Sequence, residues 1–272
     1  MKQTLKFLKM NGLGNDFILI DHTVTQFSKD LSECASTLCN RKYSIGADGL
    51  VVITKSECAD YKIRIFNSDG SEASMCGNAL RCLGLYLYDK KGVRSHSISI
   101  ETLAGLRQIE LVSHDGLIKT IMVDMGVPKI PAINCLVNEL SISYKFIEHI
   151  TLVDVGNPHA VVFTNSSDLN VCRALALEIS QQSLFKDGIN VEISRLVDTN
   201  RIEAIVLERG AGFTLACGSG AVAIAHVAVL KNLATYPLLI SMPGGFIKVF
   251  KKETNSFIEA DCDFNFYGEV AI

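Results

Sequence analysis

Residues 216–221 read ACGSGA, and residues 75–80 read MCGNAL. In each, a small or apolar residue precedes a cysteine and a glycine; a helix-capping type follows, Asn78 or Ser219, and then a helix-compatible run. Cys76 and Cys217 stand 141 positions apart. Three more pairs match in the same order at nearly that offset: Gly14-Asn15 with Gly156-Asn157, Gly46 with Gly188, and Phe66-Asn67 with Leu207-Glu208. One match is ordinary, but four in register point to a duplicated domain with one cysteine at an equivalent place in each copy.

The rest of the chain is patterned to suit. β-branched and aromatic runs predict strands at 17–21, 50–53, 62–67, 97–102, 107–112 and 120–124, and again at 150–155, 160–163, 201–207, 238–242, 246–250 and 257–260. Helical patterns fall at 31–40, 77–90, 169–181 and 218–232, with Gly92 placed to end the second of them. The stretch 116–144, which holds Pro128 and Pro131, is the expected seam. The reading is an α/β (α+β) chain of two domains, 1–118 and 119–263.

Composition excludes several classes. With 48% apolar and 20% charged residues the chain is a globule, and a net charge of −3 offers no basic field to nucleic acid or to an anionic membrane. The first twenty residues lack a continuous apolar core, and no apolar run is long enough to cross a bilayer, so a cytoplasmic protein is expected. The nine cysteines form no CxxC and no cluster with zinc-ligand spacing, so no metal is expected. Cys34, Cys39, Cys58, Cys82, Cys135, Cys172 and Cys262 lack context and read as small buried residues.

Cys76 and Cys217 do have context. The first turn of a helix offers unpaired N–H groups and a partial positive charge, which favour a thiolate and can also hold a carboxylate. Gly77 and Gly218 let a ligand approach the backbone, and Asn78 or Ser219 adds a side-chain contact. Two thiols on opposite faces of an amino-acid α-carbon would suit racemisation: one removes the α-proton and the other returns one. The carboxylate, held at the helix ends, would stabilise the carbanion. Such chemistry requires no cofactor.

Five segments, NGLGND (11–16), NSDGSEASMCGNALRC (67–82), GNPHAVVF (156–163), DGINV (187–191) and LERGAGFTLACGSGA (207–221), resemble the motifs of the diaminopimelate epimerase family, in order and along the whole chain. The resemblance implies two pseudo-twofold-related domains, each a curved, mainly antiparallel sheet around a central helix. It implies a last strand, 264–272, that returns to the first domain, and an active site in the cleft between the two. It implies interconversion of LL- and meso-diaminopimelate, on the way to lysine and peptidoglycan, with Cys76 and Cys217 as the acid/base pair. Gly77, Asn78, Gly218 and Ser219 would then hold the reacting carboxylate. Asn11, Asn67, Asn157, Asn190 and Arg209 would recognise the distal end of the substrate, Glu208 the reacting ammonium group, and His159 would stand near the thiols. The resemblance is compatible with a homodimer.

The chain departs from the family pattern at Phe213, where glutamate is usual, at Ala79, where a second glycine is common, and at Gly49, often glutamine. Two other readings stay open at this point: a cofactor-independent racemase of another amino acid, such as histidine, and an amino-acid-binding protein without catalysis.

Overall fold

The chain opens with a hairpin. β1 (Thr4–Gly12) and β2 (Asn15–Asp21) pair antiparallel across a two-residue turn in which Leu13 and Gly14 both have positive φ, 57° and 85°. Such a turn matches the twist of the strands it joins. GLGNDF is therefore a hairpin, not a phosphate-binding loop.

A computed structural model describes residues 4–24, 28–114, 117–132 and 150–272. They form two compact units, 1–123 with 260–272, and 124–259. Much of the expected seam, and Cys135 with it, lies outside the described residues.

In the first unit β2 runs parallel to β3 (Gly49–Thr54), with α1 (Leu31–Leu38) between them in sequence. The Asp30 carboxylate caps α1 by accepting from the Glu33 N–H at 3.0 Å. β3 pairs antiparallel with β4 (Tyr61–Asn67). β4 in turn meets the short β5 (Glu72–Ala73) near its end and, in parallel, β6 (Ser97–Thr102) at its start. α2 (Gly77–Asp89) lies between β5 and β6 in sequence, and β7 (Gly105–His114) and β8 (Leu117–Gly126) follow as a meander. The chain's last strand, β17 (Asp263–Ala271), pairs antiparallel with β1.

The second unit repeats this plan. β9 (Ile150–Asp154) and β10 (Pro158–Phe163) are antiparallel, α3 (Leu169–Ser180) follows, and β10 runs parallel to β11 (Asn190–Asp198). β11 pairs with β12 (Arg201–Glu208), which meets β13 (Gly212–Thr214) at one end and, in parallel, β14 (Leu238–Met242) at the other. α4 (Gly218–Leu230) stands between β13 and β14 in sequence, and β15 (Gly245–Lys252) and β16 (Asn255–Glu259) complete the meander. The duplication seen at four motifs thus extends to strand pairing, including both parallel pairs in each copy.

Each unit buries one helix deeply. α2 has eleven buried residues and packs on both β1 and β7. α4, apolar on every side, packs against β9, β10, β11, β14, β15 and β16, so its sheet curves around it. α1 and α3 cover the other faces through separate apolar clusters, Phe7, Ile18, Leu38 and Leu50 in the first unit and Leu152, Val162, Leu175 and Ile193 in the second. This is the α+β architecture expected, a curved sheet around a central helix. The strand reading passed over β1, β5, β11 and β13.

Candidate active site

Both cysteines stand at helix starts. Cys76 is the N-cap of α2 and Cys217 that of α4, each with extended backbone (φ −145° and −131°). Glycine follows each, so the next N–H groups are bare of side chain.

In the first unit the cysteine sits among amides. Arg81, wholly buried one turn into α2, donates through Nη2 to Asn78 Oδ1 at 2.7 Å. A guanidinium only donates, so the Asn78 oxygen must face it and the Asn78 NH2 must face outward, where it donates to Asn15 Oδ1 at 3.0 Å. The same Asn15 oxygen accepts from the Cys76 thiol at 3.9 Å. Gly12 keeps the corner open, since a Cβ there would lie 3.1 Å from Arg81 Nη2. Asn11 braces the hairpin by accepting from the Gly14 N–H, and it donates to Asn265. Asn67 is exposed and bonded to Ser71, with no bond among those described that ties it to Cys76.

In the second unit the cysteine sits among carboxylates. Cys217 is 4% exposed; its sulfur accepts from the Gly220 N–H at 3.4 Å and lies 3.4 Å from Ser219 Oγ. Burial, reinforced by Glu208 and Glu192, pushes its thiol well above the usual cysteine range. This runs against the sequence reading that a helix start lowers the thiol: here desolvation and two neighbouring carboxyl groups outweigh the helix terminus. Burial also pushes up the Glu208 carboxyl, which accepts from Thr214 and from Cys217.

The other residues expected here fall into place around that helix start. Asn157 donates to Ser219 Oγ at 3.4 Å, and its Oδ1 is 3.0 Å from Nε2 of the fully buried His159. Asn190 donates to Pro158 O and accepts from the backbone N–H of Arg209, both at 2.9 Å. Arg209 is exposed, and its methylene stem lies across Gly188, where a Cβ would fall 2.8 Å from it. Gly188 has φ +76°, so the turn suits glycine twice over. A hollow of about 410 Å³ is lined by Asn157, His159, Phe185, Asp187 and Gly188.

At the departures from the family pattern the structure shows what each residue packs against. Phe213 packs on the apolar cluster beneath α3, with the Arg173 guanidinium 5.1 Å above its ring. Its counterpart Glu72 is held by two bonds from Arg64, each 2.8 Å. Gly49 faces the Phe66 carbonyl, which a Cβ would approach to 2.8 Å, and Ala79 is fully buried. Of the cysteines without context, Cys34, Cys39, Cys82 and Cys172 are buried, Cys262 is half-buried, and Cys58 is exposed, unlike the reading.

The profile of the diaminopimelate epimerase family matches residues 7–131 and 151–262. The chain belongs to the diaminopimelate epimerase family. A diaminopimelate epimerase of Caldanaerobacter subterraneus is 39% identical over 279 residues, covering 98% of this chain and 100% of its own; one of Methanococcus maripaludis is 38% identical over 261 residues, 93% of each. A hydroxyproline epimerase of Agrobacterium vitis, 13% identical, shares the fold with a TM-score of 0.71 over 99% of this chain and 92% of its own. Membership makes the chain an isomerase. Among its described residues no helix is long and apolar enough to cross a membrane.

Sequence reading of this family member missed Arg81 and Glu192 and noted Asn15 only as half of a repeated Gly-Asn pair. Arg81 left one signal, a cation inside an otherwise apolar helix. Glu192 left another: it stands two residues beyond Asn190, on the same face of one strand.

Proposed function

We propose that this chain interconverts LL- and meso-diaminopimelate without an organic cofactor, using Cys76 and Cys217 on opposite faces of one α-carbon. The observation that carries this reading is the equivalence of the two helix starts, each a cysteine N-cap followed by glycine and a polar residue, in a chain that belongs to this family. Cys217, held as a thiol, gives its proton in the direction of turnover in which Cys76 is the base. The N–H groups of Gly77, Asn78, Gly218 and Ser219 hold the reacting carboxylate and take up charge as the α-carbon loses its proton. Arg209 clamps the distal carboxylate; Asn11, Asn67, Asn157 and Asn190 complete the recognition of a second zwitterion, and Glu208 receives the ammonium group.

The test is proton NMR of the reduced protein in D₂O with LL-diaminopimelate, without pyridoxal phosphate. A thiol carries one proton and exchanges it with solvent, so the meso product gains deuterium at the inverted carbon while early residual substrate keeps its hydrogen. Cys76→Ala and Cys217→Ala each lose turnover by about 10³-fold or more with unchanged circular dichroism. A Cys76→Ala protein with near-parent turnover overturns the two-base assignment. Exchange of L-histidine alone, run in parallel, would overturn the substrate.

A further inference from the structure

Glu192 is fully buried on β11, and the two-base chemistry leaves it without a role. Its Oε1 lies 2.6 Å from His159 Nδ1, both side chains having no exposure at all, while Oε2 has no partner among the described residues. From His159 a line of contacts leads to the catalytic sulfur: Nε2 to Asn157 Oδ1 at 3.0 Å, Asn157 Nδ2 to Ser219 Oγ at 3.4 Å, and Ser219 Oγ to Cys217 Sγ at 3.4 Å. The carboxylate also abuts the first turn of α4, because a Cβ on Gly220 would fall 2.9 Å from Oε1.

The donors and acceptors along this line have a direction. His159 is held at both nitrogens, Nδ1 by the Glu192 carboxylate and Nε2 by the Asn157 amide oxygen. With its oxygen engaged by His159, Asn157 turns its NH2 to Ser219. Ser219 Oγ, accepting that bond, has its own proton left for the sulfur. Every link donates toward Cys217.

We propose that Glu192 is a positioning residue for Cys217: by fixing the His159 ring from Nδ1, it sets the direction of the Asn157–Ser219 bonds so that they end as a donation onto the sulfur. The proposal rests on the assignment of Cys217 as an acid/base group. Its chemical value lies in the moment when Cys217 gives up its proton inside a site whose burial and carboxylates oppose a thiolate. Ser219 O–H and Gly220 N–H are then already aimed at the new charge, so no dipole has to turn. The titratable groups facing Glu192 are His159 from β10, Glu208 from β12 and Cys217 from the start of α4.

Glu192→Gln keeps the shape and an accepting oxygen but removes the charge. The readout is the rate of Cys217 alkylation by iodoacetamide at pH 8, followed by peptide mass spectrometry, with Cys76 as internal reference; it reports thiolate and needs no substrate. The Cys217 rate is expected to fall about tenfold and the Cys76 rate to stay within about twofold, with kcat down about tenfold and KM little changed. Glu192→Asp restores part of the Cys217 rate. Direct repulsion of the thiolate by the Glu192 carboxylate pulls the other way, so a Cys217 rate that rises or stays level in Glu192→Gln shows that repulsion dominates and overturns the proposal. Ser219→Ala breaks the last link: it lowers the Cys217 rate alone, and Glu192→Gln then adds nothing further. Should Glu192→Gln not fold, Ser219→Ala decides, and a rate at or above the parent's overturns the proposal. A parent without diaminopimelate turnover sinks the functional reading instead, and leaves these rates to judge the relay.

Discussion

Lys9 is 6% exposed, an unusual place for an ammonium group, and its charge is answered by Asp16, which also receives Arg41. Burial alone would raise the Asp16 carboxyl; Arg41 and Lys9 outweigh it and hold it down at about 2. A carboxyl depressed on folding stabilises the protein at pH values above its unfolded pKa, near 4, and that contribution is lost as pH falls from 4 to 2. Asp16→Asn is therefore expected to lose about 2 kcal/mol at pH 7 and to converge on the parent as pH approaches 2. Urea titrations at pH 7 and pH 3 check this, and equal losses at both would contradict it. At this scale the legible residues were those whose neighbours in sequence are also their chemistry. Cys76 and Cys217 have their glycines and capping residues beside them. Glu192 reads in DGINVE as an ordinary strand glutamate, because what makes it special, contact with His159 and with the first turn of the helix that Cys217 caps, arrives from β10 and α4.

The elements were legible where one pattern decided them. All four helices lie where their periodicity put them, each ending within two residues of expectation, and Gly92 closes the helix before it with φ +70°. β11 was passed over because Glu192 and Ser194 break its apolar run, yet both are buried between β10 and β12. Alternation signals a half-solvated strand and fails for an interior one that carries polar chemistry. The buried helices show the converse, a local rule broken for packing. Gly84 stands in the middle of α2, where alanine is favoured by about 1 kcal/mol in a free helix. A Cβ there would lie 2.8 Å from Ile121 Cγ2 and 3.0 Å from Ile109 Cγ2, both on branched side chains of the sheet. Gly84→Ala is expected to destabilise by about 1–3 kcal/mol despite its better propensity, as overpacking does. A thermal melt at or above the parent's would show that the sheet yields.

At the scale of the chain, duplication accounts for the strand order shared by the two units, and the last strand adds the pairing of longest range. β17 comes from the far end of the sequence and pairs with β1 from Thr4↔Ala271 to Asn11↔Asp263. Without it β1 would be an edge with Leu5 and Phe7 beneath it. The fit is close: a Cβ on Gly268 would fall 2.8 Å from Phe7 Cζ, Phe266 meets Phe7 edge to face at 6.1 Å, and Val270 and Ile272 pack on the cluster around α1. The exposed Lys6–Glu269 pair, at 3.8 Å, adds little to this. Asn265 meanwhile contacts Asn11, a residue of the proposed substrate set. Ending the chain at Cys262 therefore strips the first unit of an edge strand and an aromatic lid together. The β1 and β2 amides are expected to lose their protection from hydrogen exchange and the protein to lose turnover, while the amides of β10, β11 and β12 keep theirs, since the second unit has its own core. Protection of β1 equal to the full-length protein's would mean that the hairpin and α1 hold the first unit without β17. Loss of protection in both units would mean that they fold as one.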